Sequence, residues 1–416
     1  MVNIMSQKFP FTTWVYNPVS DFAPEELDLW KGCGFTHPMA PRIFNGTSPE
    51  ELIPFLDAAE KRGMKLIVGV QGLNIPDRES LPKFILTTEG PEAYEKRFRE
   101  VYEMLKGHPA LYGFYVADEP LGQEFFSAVT ECYRIQKKVA PELHPFVNYR
   151  SGTYKMDKES FGGVSFEEWF GHIGNDLGIS FITLDLYEPM INDDCIPAYF
   201  KAIRGTVEAS EKAGGPDVWA NLLCSAHYAY RIPTENELRW MVNTAAACGC
   251  RGVMWFRFYD RLEGHEYYGS PIDEYHNKTE LYYAMMRTQR RLNDHYGEIL
   301  MSLKRKSTFF LGNDWGGAYP KFDEKSHELI NLTTFEDAVV SFFEDEKGTE
   351  YMCLVNLNRK SHSTFNVYYD TDKCRLIELT MNGKSEGYMA PTAPDAPWGG
   401  FDMYPGQMRM FRIDRA

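Results

Sequence analysis

The chain is 416 residues long and 44% hydrophobic, enough for a large core and suggestive of two domains. Its formal net charge of −15 speaks against nucleic acid and anionic membrane surfaces as partners, since both demand clustered Lys and Arg. The eight cysteines (Cys33, Cys132, Cys195, Cys224, Cys248, Cys250, Cys353 and Cys374) are scattered without a Cys-x-x-Cys pair, so buried thiols are expected and no metal or other cofactor is.

Short apolar runs then alternate with amphipathic helical stretches, the pattern of parallel βα units. Eight runs read as strands: Phe11–Tyr16, Phe35–Ile43, Lys65–Leu73, Leu111–Glu119, His144–Arg150, Ile179–Glu188, Val218–Ala226 and Gly252–Asp260. Helices are expected between them, at Pro24–Gly34, Ser48–Gly63, Gly90–Lys106, Gln123–Val139, Asp194–Ala213 and Thr234–Ala247, with a long one at Thr279–Leu303 after the last strand. The second has clear start and stop signals, with Ser48 as cap, Pro49 in the first turn and Gly63 at the end. Ser151–Leu177 is long for a connection and rich in aromatics, and is expected to shape one wall of a cleft. Eight strand–helix repeats predict an α/β fold, a (β/α)8 TIM barrel over residues 1–303. Beyond it, short alternating strands at Ser307–Leu311, Ala338–Glu344, Thr349–Asn356, Ser363–Tyr369, Cys374–Leu379 and Met408–Ile413, separated by turns such as Asn382-Gly383-Lys384, predict a small antiparallel β-sandwich over residues 304–416. No run is long enough to span a membrane and no signal peptide is visible. The protein therefore reads as soluble, cytoplasmic if the chain is complete and periplasmic or secreted if a signal has been trimmed.

In such a barrel the chemistry sits at the C-terminal ends of the strands. Those ends carry Trp14 and Tyr16, Arg42, Gln71, Asp118 and Glu119, Asn148 and Arg150, Asp185, Tyr187 and Glu188, Asn221, Ser225 and His227, and Trp255, Arg257 and Asp260. The sharpest signal is Leu111-Tyr-Gly-Phe-Tyr-Val-Ala-Asp-Glu-Pro120, an apolar strand that ends abruptly in two carboxylates and a proline. Carboxylates in that position are costly, so chemistry is their usual reason. Cleaving a glycosidic bond needs one carboxylic acid to protonate the leaving oxygen and a second carboxylate to attack the sugar or activate water. Glu119 is the candidate acid, Asp185 the first choice for the second carboxylate and Glu188 the alternate. Trp14, Tyr16, Arg42, Gln71, Asp118, Asn148, Tyr187, Asn221, His227, Trp255 and Arg257 are candidates for holding a carbohydrate substrate, the tryptophans as stacking platforms.

The Ala117-Asp-Glu-Pro120 ending resembles the Asn-Glu-Pro that closes strand four in clan-A glycoside hydrolases, where the Glu is the acid/base. The chain also resembles uncharacterised bacterial barrels with an Asp-Glu-Pro strand and an Asp-x-Tyr strand, matched here by Asp185-Leu-Tyr187. The resemblance implies a glycosidase. It departs at strand seven, where clan A places its nucleophilic Glu and this chain has Val-Trp-Ala-Asn-Leu-Leu-Cys-Ser-Ala-His without an acid. Two alternatives stay open on that ground: a non-catalytic glycan-binding barrel, and a metal-dependent hydrolase built on Asp118, Glu119, Asp185 and His227.

Overall fold

The computed structural model describes residues 8–261, 267–334, 336–380, 385–388 and 398–416. In chain order the first part contains β1 (Phe11–Thr13), α1 (Glu26–Cys33), α2 (Ile53–Lys61), β2 (Leu66–Val68), α3 (Ile85–Thr88), α4 (Pro91–Leu105), β3 (Leu111–Asp118), α5 (Gly122–Val139) and β4 (Phe146–Tyr149). It continues with α6 (Phe166–Gly171), β5 (Phe181–Asp185), α7 (Ile196–Ala213), β6 (Asp217–Leu223), α8 (Glu235–Ala247), β7 (Val253–Phe256), α9 (Glu280–Leu292) and α10 (Glu298–Ser302). The seven strands form one parallel sheet in the order β1-β7-β6-β5-β4-β3-β2.

The expected strand Phe35–Ile43 is not regular, yet it fills the remaining gap between β1 and β2. The amides of Thr36 and His37 donate to Phe11 O, and that of Met39 to Thr13 O, on one side. Ala40 N donates to Ile67 O and Ile43 N to Gly69 O on the other. Pro38 and Pro41 remove two donors from the ladder, which is why only isolated bridges form there. The ring is thereby closed as a (β/α)8 barrel with one irregular stave. Gly113 lets β3 lie close to the chain entering β4, for a Cβ there would sit 1.9 Å from His144 O.

Rings fill the barrel interior. Trp14 meets Tyr115 at 5.2 Å, Tyr115 meets Phe146 at 5.6 Å, Phe146 meets Phe181 at 5.3 Å and Phe181 stacks on Trp219 at 4.0 Å. Much of the high aromatic content is thus core packing. The long Ser151–Leu177 connection is also core-building. Phe161 and Trp169 pack on Phe126 of α5 at 4.7 and 5.1 Å, outside the strand ring, so these rings do not wall the mouth of the barrel. The expected helix Thr279–Leu303 runs through α9 and α10, which a π-helical turn at Asn293–Gly297 joins without leaving the helical path.

The second part contains β8 (Lys304–Leu311), β9 (Ile330–Thr334), β10 (Ala338–Glu344), β11 (Glu350–Asn356), β12 (Ser363–Tyr369), β13 (Cys374–Leu379), β14 (Ser385–Tyr388), β15 (Trp398–Met403) and β16 (Met408–Arg415). Two antiparallel sheets result, β14-β13-β16-β11-β10-β8 and β15-β12-β9. The six-stranded sheet is apolar on both faces. Val339, Phe343, Cys353 and Val355 join the core of the barrel, while Val340, Phe342, Met352 and Leu354 pack with Leu332, Phe365 and Val367 of the smaller sheet. The barrel helix α8 also grips the Pro405–Gly406 turn, with Arg239 Nε on Pro405 O and Asn243 Nδ2 on Gly406 O, both at 2.8 Å.

The cysteines are all free, and every one except the half-buried Cys195 is buried. Among the described residues no helix is long and apolar enough to cross a membrane. The first seven residues, where a leader was sought, lie outside the described residues.

Candidate active site

The parallel register builds the mouth of the barrel. Asp118 on β3 stands beside Asn148 on β4, Asn148 beside Thr183 on β5, and Asp185 beside Asn221 on β6. Four neighbouring strands therefore deliver five polar side chains to one place, and these bond to each other. Asn148 Nδ2 donates to Asp118 Oδ1 at 2.9 Å and to Asp185 Oδ1 at 3.0 Å, while its Oδ1 accepts from Thr183 Oγ1 at 2.7 Å. Asn221 Nδ2 donates to Asp185 Oδ1 at 2.7 Å and to the Tyr187 hydroxyl at 2.9 Å. The amides of Asn148 and Asn221 are thus fixed in orientation, with nitrogens toward the acids.

Glu119 leaves β3 with φ 45, a left-handed conformation unusual for a side chain of this size. Its amide donates to Asn148 O at 2.8 Å, which holds the turn in place. Its carboxylate is 2.9 Å from Arg150 Nε, with 37% of the Glu119 side chain exposed. Backbone strain of this kind costs about 1–3 kcal/mol and concentrates at functional positions.

Asp185 lies close enough to Asp118 and Glu119 to feel the charge of both. It is held well above the usual carboxylate range by burial first, then by those two charges. Asp118 is pushed up to about 7, again chiefly by burial, against the Asn148 hydrogen bond that favours its charged form. Glu188 stands apart. It sits in the short turn Glu188–Met190 after β5, and its carboxyl is raised by burial.

The other candidates fall into three positions. Tyr16, Arg42 and Arg257 line a cavity of about 640 Å3 beside the acids, together with Asp21, Asp260 and Asp273. Burial and Asp118 hold the Tyr16 phenol in its protonated, donor form. Tyr187 and His227 sit in a cluster of rings with Tyr230, Phe256 and Tyr267, with His227 stacked on Tyr267 at 5.3 Å. Trp14 and Trp255 lie below the mouth, 2% and 0% exposed, so neither offers an open face to a sugar and the expected platform is a floor instead. Gln71 is exposed at the rim, where its Oε1 accepts from Asn45 N at 2.9 Å. Thr183, Tyr115, Tyr230 and Tyr267 belong to the mouth but were not singled out by sequence. A threonine or tyrosine inside a strand or loop looks like ordinary packing until register places it.

Among the described residues no group of three or more His, Cys, Asp or Glu side chains has the arrangement of a metal site.

No family model matches the chain, and no curated protein matches it. Solved structures do. A catalytic mutant of a family 42 β-galactosidase from G. stearothermophilus superposes with a TM-score of 0.66 at 8% identity, over 98% of each chain. A family 5 glycoside hydrolase from Bacteroides vulgatus gives 0.59 at 12% identity, over 98% of this chain and 89% of that one. A β-galactosidase from the psychrophilic Marinomonas ef1 gives 0.54 at 12% identity, and there the chain spans 62% of the other's length. Barrel and sandwich together thus have the fold of clan-A-type glycoside hydrolases.

Proposed function

We propose that the protein is a glycoside hydrolase acting on an oligo- or polysaccharide, with residues 1–303 as the catalytic barrel and 304–416 as a flanking sandwich. The observation that carries this reading is the network at the strand ends, where Asn148 and Asn221 hold Asp185 beside Asp118 and next to the turn that presents Glu119. Buried and next to other acids, Asp185 resists ionising and keeps its proton. One proton on two carboxyls is the resting state that glycoside cleavage needs, one acid and one carboxylate. Glu119 faces outward and delivers the proton to the glycosidic oxygen. Asp185, buried and raised, is the source of that proton and, once ionised, the second carboxylate. Asn148, Asn221 and Tyr187 position Asp185, and Asp118 sits where a sugar hydroxyl meets the acid.

The test is release of reducing sugar from a broad panel of polysaccharides and aryl glycosides by wild type, Glu119→Gln and Asp185→Asn. Loss of turnover in both, with unchanged circular dichroism, supports the pair. Turnover retained in either variant removes that residue from the mechanism. A second reading, a barrel that binds glycan without cleaving it, draws on one observation: β6 brings Asn221, not an acid, to the mouth. Glycan binding by wild type and Glu119→Gln alike, without turnover on any substrate, favours that reading.

A further inference from the structure

We propose that the mouth selects an anionic sugar, one that carries a carboxylate or a sulfate, and that Arg42 and Arg257 are the groups that select it. This deepens the carbohydrate reading above and rests on it.

Both side chains line the 640 Å3 cavity. Both also converge on one ring, since the Arg42 guanidinium carbon lies 4.4 Å from the Tyr16 centroid and that of Arg257 lies 5.2 Å from it. Elsewhere in the chain arginines at comparable depth have acids. Arg359, 10% exposed, holds Glu237, and Arg305, 6% exposed, holds Glu211. Among the described residues neither Arg42 nor Arg257 forms an ion pair. Arg257 is 5% exposed, and the hydrogen bond from its side chain is Nε to Tyr259 O at 2.8 Å, which leaves the terminal nitrogens of the fork uncommitted. Arg42 Nε is buried without an acceptor among the described residues.

Buried guanidinium groups are ordinarily paired, because an unpaired cation out of water is costly. Stacking on Tyr16 recovers part of that cost without cancelling the charge. The carboxylates nearby are already engaged. Asp21 accepts from Asn17 Nδ2 at 3.2 Å, and Asp260 accepts from the amides of Gly269 and Ser270 at 3.3 and 2.7 Å. Asp273 accepts from the amides of Tyr275 and Asn277 at 2.9 and 2.7 Å, and Glu274 is exposed. Asp118, raised by burial, is a poor counter-charge near neutrality. Two planar forks without an ion pair among the described residues, on the wall of a cleft that reads as a sugar site, fit the oxygens of a carboxylate or sulfate ester. The chain's net charge of −15 makes this a local selection and not a general attraction for anions.

The experiment is a ligand-observed NMR titration of the full chain with D-galactose, D-galacturonate and D-galactose 6-sulfate, and with the matching glucose series. Free monosaccharides are not cleaved, so the outcome is independent of the hydrolase assay. At least tenfold tighter binding of the uronate or the sulfate than of the neutral parent is expected, and which of the two gains shows which anion is read. Arg42→Gln and Arg257→Gln should each erase most of that margin, read as the ratio of uronate or sulfate affinity to neutral-sugar affinity. Arg42→Lys, which keeps the charge and loses the fork, should retain part of it and serves if the more buried Arg257 variant fails to fold. Equal or tighter binding of the neutral sugars overturns the proposal. So does the absence of binding by all six sugars, whatever the turnover assay shows.

Discussion

The mouth of the barrel buries Asn148, Asp185 and Asn221 around one hydrogen-bond network. The six-stranded sheet on its flank buries Val339, Val340, Phe342, Met352 and Leu354, with Ser341 and Asn356 among its few buried polar groups. In the sheet, Ser341 is satisfied by Thr308 at 3.0 Å, and apolar area decides the rest. In the mouth, burial raises two carboxyls against their own preference, and the backbone at Glu119 adds strain. The sheet is arranged to be stable. The mouth spends stability on fixed geometry and a stored proton, the usual mark of a working site.

Isosteric changes at the mouth and truncations in the sheet should therefore separate activity from stability. Glu119→Gln should lower turnover by about 10²–10⁴-fold, with little change in unfolding free energy. Equal turnover of the variant and wild type, measured on a cleaved aryl glycoside, would remove the contrast. Leu354→Ala, in the fully buried core between the two sheets, should cost about 2–5 kcal/mol by urea unfolding and leave turnover per folded molecule unchanged. Asn148→Ala removes the amide that bonds Asp118 and Asp185. Turnover should fall about 10–100-fold, the range of a lost orienting partner, and the basic limb of the pH profile should move upward, since the lost hydrogen bonds favour the charged acids. An unmoved limb would mean that neither acid governs the rate.

A further effect concerns pH. The folded pKa of Asp118 lies at about 7, above the unfolded value of 3.8, so the folded state binds the extra proton between those limits. Stability contributed by this group is present below pH 4, declines as pH rises toward 7 and is absent above it. Asp118→Asn should therefore stabilise the protein at pH 8 relative to wild type. The advantage should shrink by about 1 kcal/mol per unit as pH falls from 7 toward 4. A constant advantage across that range would show that Asp118 does not titrate there.

The chemistry-bearing residues that sequence located best are those that violate a pattern. Asp118, Asn148, Asp185 and Asn221 are polar groups inside apolar strand runs, and the register brings them together as strand position implied. Depth was not legible. Trp14 and Trp255 also sit near strand ends, but whether an aromatic ring faces the floor or the mouth depends on barrel tilt, which one strand does not reveal. Phe35–Ile43 was legible as a stave and not as an interrupted one, since Pro38 and Pro41 break hydrogen bonding without changing the path. In the second part, β9, β14 and β15 were missed. They are short, and Trp398–Met403 includes two glycines that weaken any strand signal. The turn expected at Asn382-Gly383-Lys384 lies outside the described residues.

The backbone at Glu119 is left-handed. Glycine adopts φ 45 freely, so Glu119→Gly would relieve strain while deleting the carboxyl. The chain thus keeps a strained residue where glycine would serve the turn, so the backbone alone gives no reason for a side chain at 119.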